Sequence, residues 1–245
     1  MNKWLINNRG NNYNEVSKKY NIHPLISKIL LNRNITDFEK FLNPNAENSY
    51  HNPFLMKDMD KAVDIIISTI DHNEKIRIVG DYDQDGNSST MTLLDGLGYF
   101  TDKISYDIPN RMTDGYGISF SIIDKCIEDN IDLIITCDNG ISAIEQCDYA
   151  RKNGIKIIVT DHHQTIKHDG KEIIPNADAV VNPQQQSCKY PFKSLCGAGV
   201  AYKLIQAINI KKGYGMLQCE NLLQYVAMGT VCDIVDLKDE TRYFV

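Results

Sequence analysis

Three aspartates at alternate positions, Asp81, Asp83 and Asp85, directly follow an apolar, β-rich run. In an extended segment, side chains two residues apart point to the same side, so this spacing gathers three carboxylates. Anions about 4 to 6 Å apart repel one another, and such a group is tolerated mainly where it binds a cation. A solvated acidic turn is the simpler alternative. An EF-hand loop is disfavoured because its twelfth position is Thr92 instead of glutamate and a strand precedes it.

Two further apolar runs end in polar groups of the same kind. Asp138 and Asn139 follow the first run, and Asp161, His162 and His163 follow the second. Taken singly, a strand-end aspartate more often caps a helix, and a histidine pair more often lies on the surface or in the core. In open parallel sheets, however, the ligand crevice lies outside the carboxyl ends of the strands. The sequence therefore predicts that these groups converge on one site.

The predicted cluster contains oxygen and nitrogen ligands only. Its members are Asp81, Asp83, Asp85, Asp138, His162 and His163, with Asp233 as a further candidate. Carboxylate and imidazole without thiolate suit manganese, magnesium or cobalt better than a structural zinc ion. Cys137 does not change this prediction, because neighbours in an extended segment point to opposite sides.

The elements that must position this cluster alternate between strand and helix patterns. Strands are predicted within 76–79, 103–108, 133–136, 155–160 and 179–181, and helices over 88–97, 119–128, 142–153, 199–208 and 220–231. Short β-branched runs of this kind are typical of parallel strands buried on both faces. The predicted fold class is α/β, a doubly wound and mainly parallel sheet over residues 61–245. Residues 1–60 are predicted to form a small appendage of helices and loops.

The composition of the 245 residues is that of a globular protein, with 42% hydrophobic and 24% charged residues. These values exclude wholesale disorder and a membrane bundle. The first residues lack the pattern of a signal peptide, and seven scattered cysteines without a C-x-x-C pair indicate reduced thiols, so we expect a cytoplasmic location. A net charge of −6 argues against a general nucleic-acid coat, and a polyanionic partner would need a local basic track or bound cations.

Four ordered segments resemble the motifs of the DHH phosphoesterase superfamily. They are Asp81-Tyr82-Asp83-Gln84-Asp85-Gly86, Cys137-Asp138-Asn139-Gly140-Ile141, Asp161-His162-His163 and Gly229-Thr230-Val231-Cys232-Asp233. Accessory segments are similar to the branch of RecJ-like, single-strand-specific 5′-to-3′ exonucleases; they include Trp4, Ile108-Pro109-Asn110-Arg111, Asp114-Gly115-Tyr116-Gly117 and Leu195-Cys196-Gly197-Ala198-Gly199. The resemblance covers nearly the whole chain.

The resemblance implies two manganese or magnesium ions in the cluster. Their ligands would be Asp81, Asp83, Asp138, His162 and Asp233, with Asp85 as a close partner and Asp138 as a bridge. Two such ions activate a water and neutralise charge on the scissile phosphate. Asp83, Asp138 and His163 would then be the catalytic residues. His163 would hydrogen-bond a phosphate oxygen or the leaving oxygen, or it would only orient a metal ligand.

The resemblance also implies a set of substrate-binding residues. Arg111 would grip a 5′-terminal phosphate, since its fork geometry suits that group. Backbone amides at two helix openings would hold phosphate oxygens, and plain helix capping is the alternative for the serines. The substrate-binding candidates are Arg111, Ser88, Ser89, Asn139, Gly197 and Gly199.

The expected function is metal-dependent hydrolysis of single-stranded DNA from its 5′ end, in DNA repair or recombination, with a helicase or single-strand-binding protein as a further partner. One alternative keeps the chemistry but acts on short oligonucleotides or cyclic dinucleotides. A non-catalytic, nucleic-acid-binding scaffold is the other, and the retained ionisable groups argue against it. Relatives continue into a DHH-associated domain and often an OB-fold, which these 245 residues do not include. Val79 stands where many relatives have histidine, so one ion is expected to have one protein ligand fewer.

Overall fold

The computed structural model describes residue 3, residues 12–112 and residues 115–245. Trp4 and Asp114, named above among the accessory segments, lie outside the described residues. The chain divides into two compact units, Met1–Tyr50 and His51–Val245. This division falls at residue 50, whereas the sequence pattern placed it at residue 60.

The described residues of the first unit form short helices, and two of these helices begin at local capping signals. They are α1 (Tyr13–Tyr20), α2 (Pro24–Asn32), α3 (Phe38–Leu42) and α4 (Ala46–Ser49). Helix α2 begins with a proline in its first turn, which suits the fixed φ of that residue. Helix α3 begins after Asp37, whose carboxylate accepts a hydrogen bond from the Lys40 N–H at 3.0 Å. The predicted helical N-terminal segment is confirmed.

The second unit is built on a five-stranded parallel sheet. Its strands are β1 (Ile76–Val79), β2 (Ile104–Asp107), β3 (Leu133–Cys137), β4 (Lys156–Thr160) and β7 (Ala179–Val181), with a separate antiparallel hairpin of β5 (Ile166–His168) and β6 (Lys171–Ile173). The spatial order is β2-β1-β3-β4-β7. The chain therefore reverses direction across the sheet between β1 and β3. In folds of this type, that switch point is where the ligand crevice opens.

Helices cover both faces of the sheet. They are α5 (Met59–Asp71), α6 (Gln84–Gly98), α7 (Phe120–Glu128), α8 (Ile144–Lys152), α9 (Gly197–Lys211), α10 (Leu223–Cys232) and α11 (Glu240–Phe244), with 3₁₀ helices at Pro53–Leu55 and Met216–Leu222. Helices α6, α9 and α10 pack on one another, and α6 and α9 contact the sheet. Helices α7 and α8 share a buried core with side chains of β1, β3 and β4. This arrangement confirms the predicted α/β fold class.

Helix α6 begins four residues earlier than the predicted start at Ser88. Asp83 is its N-cap, and Oδ1 of Asp83 accepts a hydrogen bond from the Gly86 N–H at 2.9 Å. Asp85 therefore lies in the first turn of a helix, where a negative charge is favoured. The expectation that all three aspartates share one extended segment is wrong for Asp85, because the cap ends that segment at Asp83.

Two local features of the sheet differ from the prediction. Strand β2 is only partly buried because it is an edge strand that pairs with β1 alone. The β5–β6 hairpin was not predicted, although Asp169-Gly170, with φ values of 49° and 75°, is a typical two-residue hairpin turn.

No helix among the described residues is long and apolar enough to cross a membrane.

Candidate metal centre

The polar groups that follow the strands lie together at the carboxyl end of the sheet. Asp81 comes two residues after the end of β1, and Asp138 directly follows β3. Asp161 directly follows β4 and precedes the two histidines. The parallel register of β1, β3 and β4 brings these three strand ends side by side. The predicted convergence on one place is therefore present in the fold.

Two separate sets of three side chains could each hold a metal ion. Within each set, the ligand atoms all lie within 4.8 Å of one another; the first set is Asp81, Asp83 and Asp138, and the second is Asp85, His162 and Asp233. Asp138 also belongs to a third set, with His162 and His163. The sets adjoin, because Nε2 of His162 lies 3.0 Å from Oδ1 of Asp138 and 3.8 Å from Oδ2 of Asp85.

The donor atoms at the centre of the cluster fit a cation. Oδ1 of Asp81 is buried and has no hydrogen-bond partner among the described residues, and the buried Oδ1 of Asp138 has the Nε2 of His162 at 3.0 Å. A buried carboxylate oxygen without a partner is unfavourable unless something positive lies beside it. Asp138 also has a left-handed backbone, with φ of 62°, which is uncommon for a residue other than glycine. The unpaired oxygen of Asp81 and the left-handed backbone of Asp138 are typical of a functional site.

The electrostatics of the cluster support the same interpretation. Burial, together with the neighbouring carboxylates, raises the pKa values of Asp81, Asp138 and Asp233. Burial alone would lower the pKa of His162, but the contact with Asp138 and the charge of Asp85 outweigh it and raise that pKa to about 9. The fold thus concentrates negative charge at this cluster, and the proton on His162 partly neutralises it. A divalent cation at the same position would compete with that proton.

Asp85 is bound by the N-terminus of α9. Its carboxylate accepts hydrogen bonds from the backbone N–H of Gly197 at 2.6 Å and of Ala198 at 3.0 Å. A Cβ at Gly197 would lie 2.6 Å from the Cβ of Asp138, and one at Gly229 would lie 2.4 Å from Oδ1 of Asp85. Glycine at these positions therefore lets α9 and α10 approach the acidic cluster closely.

This arrangement changes the interpretation of the α9 glycines. The Gly197 amide, predicted to bind a phosphate oxygen, donates to Asp85 instead. Gly199 lies inside α9, and its backbone N–H interacts with the Cys196 thiol. In this structure both glycines serve packing and the position of Asp85.

His163 is held by two residues that were not among the predicted metal ligands or substrate contacts, Asp161 and Tyr116. Its Nδ1 lies 2.8 Å from Oδ1 of Asp161 and 3.2 Å from the Tyr116 hydroxyl. That hydroxyl donates to the backbone oxygen of Asp138 at 2.9 Å. The buried Asp161 carboxylate also accepts from the backbone N–H groups of Ile141, His162 and His163. Asp161 therefore shapes the turn and orients His163 instead of facing the metal ligands.

The position of Asp161 in the sequence indicates its role, whereas the position of Tyr116 does not. An aspartate two residues before a histidine, directly after a strand, can accept the backbone N–H groups of the turn that follows. Tyr116 lies between Gly115 and Gly117, both of which have positive φ. No pattern in the sequence relates Tyr116 to a histidine 47 residues later.

The remaining predicted substrate-binding residues lie in different environments. Arg111 is exposed, and its guanidinium carbon lies 5.4 Å from the centre of the Tyr82 ring. Ser88 and Ser89 are buried inside α6, so their amides do not open the helix, which is a correction of the prediction. The Asn139 side chain is engaged by the backbone: its amide nitrogen donates to Val79 and Cys137, and its oxygen accepts from Ile118.

Comparison with known proteins gives one family match and several similar chains. The profile of the DHH family, N-terminal domain, matches residues 75–230. Single-stranded-DNA-specific exonuclease RecJ of Bacillus subtilis (strain 168) is 38% identical over 230 residues, which are 93% of this chain and 28% of that protein. The protein of the same name from Haemophilus influenzae is 35% identical over 230 residues, which are 90% of this chain and 38% of that protein. A crystal structure of exonuclease RecJ bound to manganese has a TM-score of 0.68 and 29% identity, over 78% of this chain and 46% of that chain.

These similarities establish the family but cover only part of the relatives. This chain spans less than two fifths of the length of either exonuclease compared by sequence. The family match, by contrast, covers more than half of this chain and contains every member of the two ligand sets except Asp233. The chain belongs to the DHH family.

Proposed function

We propose that this chain hydrolyses phosphodiester bonds of single-stranded DNA, from the 5′ end, with two manganese or magnesium ions. The observation that carries the proposal is the pair of adjoining ligand sets at the switch point of the sheet, each with three donor atoms within 4.8 Å. Two relatives that are named single-stranded-DNA-specific exonucleases are 38% and 35% identical to this chain over 230 aligned residues, which are at least 90% of its length.

The ligand sets determine which residues would hold the ions. Asp81, Asp83 and Asp138 would hold one ion, and Asp85, His162 and Asp233 the other. Bound divalent cations of this kind supply water activation and neutralise charge that develops on the phosphate. The 3.0 Å approach of His162 to Asp138 makes Asp138 the residue best placed to contact both positions.

His163 has the geometry of a hydrogen-bond donor to the substrate. Its hydrogen bond to Asp161 raises its pKa and favours the protonated ring. Nδ1 faces Asp161 and Tyr116, Nε2 lies 3.4 Å from the Tyr116 hydroxyl, and the imidazole is about half exposed at the rim of the cluster. A protonated imidazole there would donate to a phosphate oxygen or to the oxygen that leaves.

Arg111 is the proposed contact for a terminal phosphate. Its side chain is exposed near the ring of Tyr82, and that ring packs edge to face with Tyr116 at 6.5 Å between centroids. A guanidinium fork in this position would bind two phosphate oxygens at once. Because the chain has a net charge of −6, few cationic contacts would add to this one, and we expect weak binding of long strands.

The broader role is proposed from the same likeness. DNA repair or recombination, a cytoplasmic location, and cooperation with a helicase or single-strand-binding protein are consistent with a single-strand exonuclease. All seven cysteines are free thiols, six of them buried, which fits a reducing compartment. The division into an N-terminal appendage and a catalytic domain also belongs to this proposal.

The test is hydrolysis of 3′-labelled single-stranded DNA in manganese, compared with duplex DNA and with EDTA. We expect shortening from the 5′ end that EDTA abolishes. Asp83→Asn should lower the rate by about 100-fold or more, since it removes one ligand charge. Asp169→Asn is the matched control, because Asp169 is exposed on the β5–β6 turn.

Each other result has a distinct meaning. Equal rates for wild type and Asp83→Asn, or hydrolysis in EDTA, would refute the metal-dependent reaction. Faster cleavage of a dinucleotide than of a strand of about 20 nucleotides would favour the short-substrate alternative. Binding of DNA without any hydrolysis in manganese would favour the scaffold.

A further inference from the structure

Ile234, next to Asp233, has a backbone conformation that suits glycine. It follows the C-cap of α10 with φ of 56°. The Val235 N–H donates to the Thr230 oxygen at 3.1 Å, which is the bond of a helix end whose left-handed residue is usually glycine. A β-branched residue with positive φ is a steric outlier. The isoleucine therefore strains the backbone at the edge of the metal centre.

The side chain of Ile234 packs against little of the described chain. The residue is 89% exposed, so it buries almost no apolar surface within the described chain. A glycine would relieve the strain, and an asparagine would tolerate the conformation with a polar side chain. Strain that persists without a packing reason is typical of functional positions. A contact that uses this side chain would therefore lie outside the described residues.

A cavity beside the metal ligands indicates what that contact is. Its volume is about 250 Å³, and its lining consists of His162, Gln184, Ser194, Leu195, Asp233, Ile234, Val235 and Asp236. This volume is below the roughly 300 to 1,000 Å³ of pockets for drug-sized ligands, so it suits one small group. Asp236 in this lining opposes a phosphate, whereas the aliphatic residues favour a neutral group.

We propose that Ile234 is a substrate-binding residue that packs against the base of a nucleotide adjoining the scissile phosphate. This inference rests on the proposed function and assigns the cavity between His162 and Ser194 to that base. The phosphate would lie at the ligand sets, and the base would lie across the cavity against the aliphatic side chain. Contact with a base through an aliphatic group discriminates little between bases, which fits an enzyme that degrades any sequence.

The test compares Ile234→Gly and Ile234→Val in stability and in kinetics. Ile234→Gly should raise the Tm by about 2 to 4 °C, because relief of left-handed strain exceeds the added chain entropy. The same variant should raise the KM for single-stranded DNA about tenfold, through loss of the aliphatic contact, with kcat within about twofold. Ile234→Val keeps a β-branched apolar side chain and should resemble wild type in both.

Strands that lack one base identify the contact. On a strand without the base of either the first or the second nucleotide, the KM difference between wild type and Ile234→Gly should disappear for one of the two positions. Three results would overturn the inference: an unchanged KM in Ile234→Gly, a lower Tm in that variant, or an equal KM difference on the intact strand and on both strands that lack a base. Hydrolysis by the wild type would still support the proposed function in each of these cases. Absence of hydrolysis by wild type itself would refute the proposed function, and this inference with it.

Discussion

The metal-free chain should lose stability as pH rises from about 6.5 to 9, and divalent cations should reverse that slope. Burial lowers the pKa of His162, but the contact with Asp138 and the charge of Asp85 outweigh it and raise that pKa to about 9. In the unfolded chain, a histidine has a pKa near 6.5. Between these two values, the folded chain therefore holds a proton that the unfolded chain releases.

The magnitude follows from proton linkage. One extra proton in the folded state lowers the free energy of unfolding by about 1.36 kcal/mol for each unit of pH increase. For a chain of this size, about 1 kcal/mol corresponds to 2 to 4 °C in Tm, so the slope is about −3 to −5 °C per pH unit. The stabilisation from His162 is fully present below pH 6.5 and is lost as pH rises through about 9. His163, whose pKa is also raised, adds to the same direction.

Bound cations should reverse the sign because metal ligands must be deprotonated. The assay is the Tm between pH 6.5 and 8.5, measured once in EDTA and once in excess magnesium or manganese. His162→Gln should remove a large part of the EDTA slope. His168→Gln is the matched control, since the side chain of His168 is 75% exposed on the β5–β6 hairpin. A flat or rising Tm in EDTA, or an identical slope with the cation, would refute the reasoning.

Three further predictions concern stability, orientation and substrate capture. Glu240→Gln should lower the free energy of unfolding, measured in urea, by about 3 to 5 kcal/mol, because Lys203 and Glu240 form an entirely buried ion pair at 2.5 Å. Adding Lys203→Met should recover most of the lost free energy, and a loss under about 1 kcal/mol in Glu240→Gln would contradict the prediction. Asp161→Asn should lower kcat about 10- to 100-fold through a misoriented His163, and a wild-type kcat in a correctly folded variant would contradict that role. Arg111→Ala should raise the KM about tenfold for 5′-phosphorylated strands and less for 5′-hydroxyl strands, whereas equal changes would argue against the assigned phosphate contact.

The sequence predicted the sheet and the position of the cluster because both depend on local patterns. The apolar run Ile76–Val79 is too short and too β-branched for a helix, and the same holds for the runs of β3 and β4. Once these runs are parallel neighbours, the residues after them must meet at one edge. The placement of Asp81, Asp138 and His162 together therefore follows from topology alone.

Side-chain partners from distant elements could not be predicted in the same way. The amide of Gly197 is used by Asp85, 112 residues earlier, and this contact depends on how α9 packs against α6. The start of α6 was misplaced because Asp83, interpreted only as a metal ligand, is also the N-cap. Asn139 was interpreted as a substrate contact because nothing in the sequence shows that its side chain binds the backbone of β1.

The central claim is that two cations bind side by side in this cluster, and a crystal soaked in manganese tests it most directly through anomalous scattering. We expect two anomalous peaks, one touching Asp81, Asp83 and Asp138 and the other touching Asp85, His162 and Asp233. Absence of any peak at these carboxylates, or peaks only at other sites, would contradict the account.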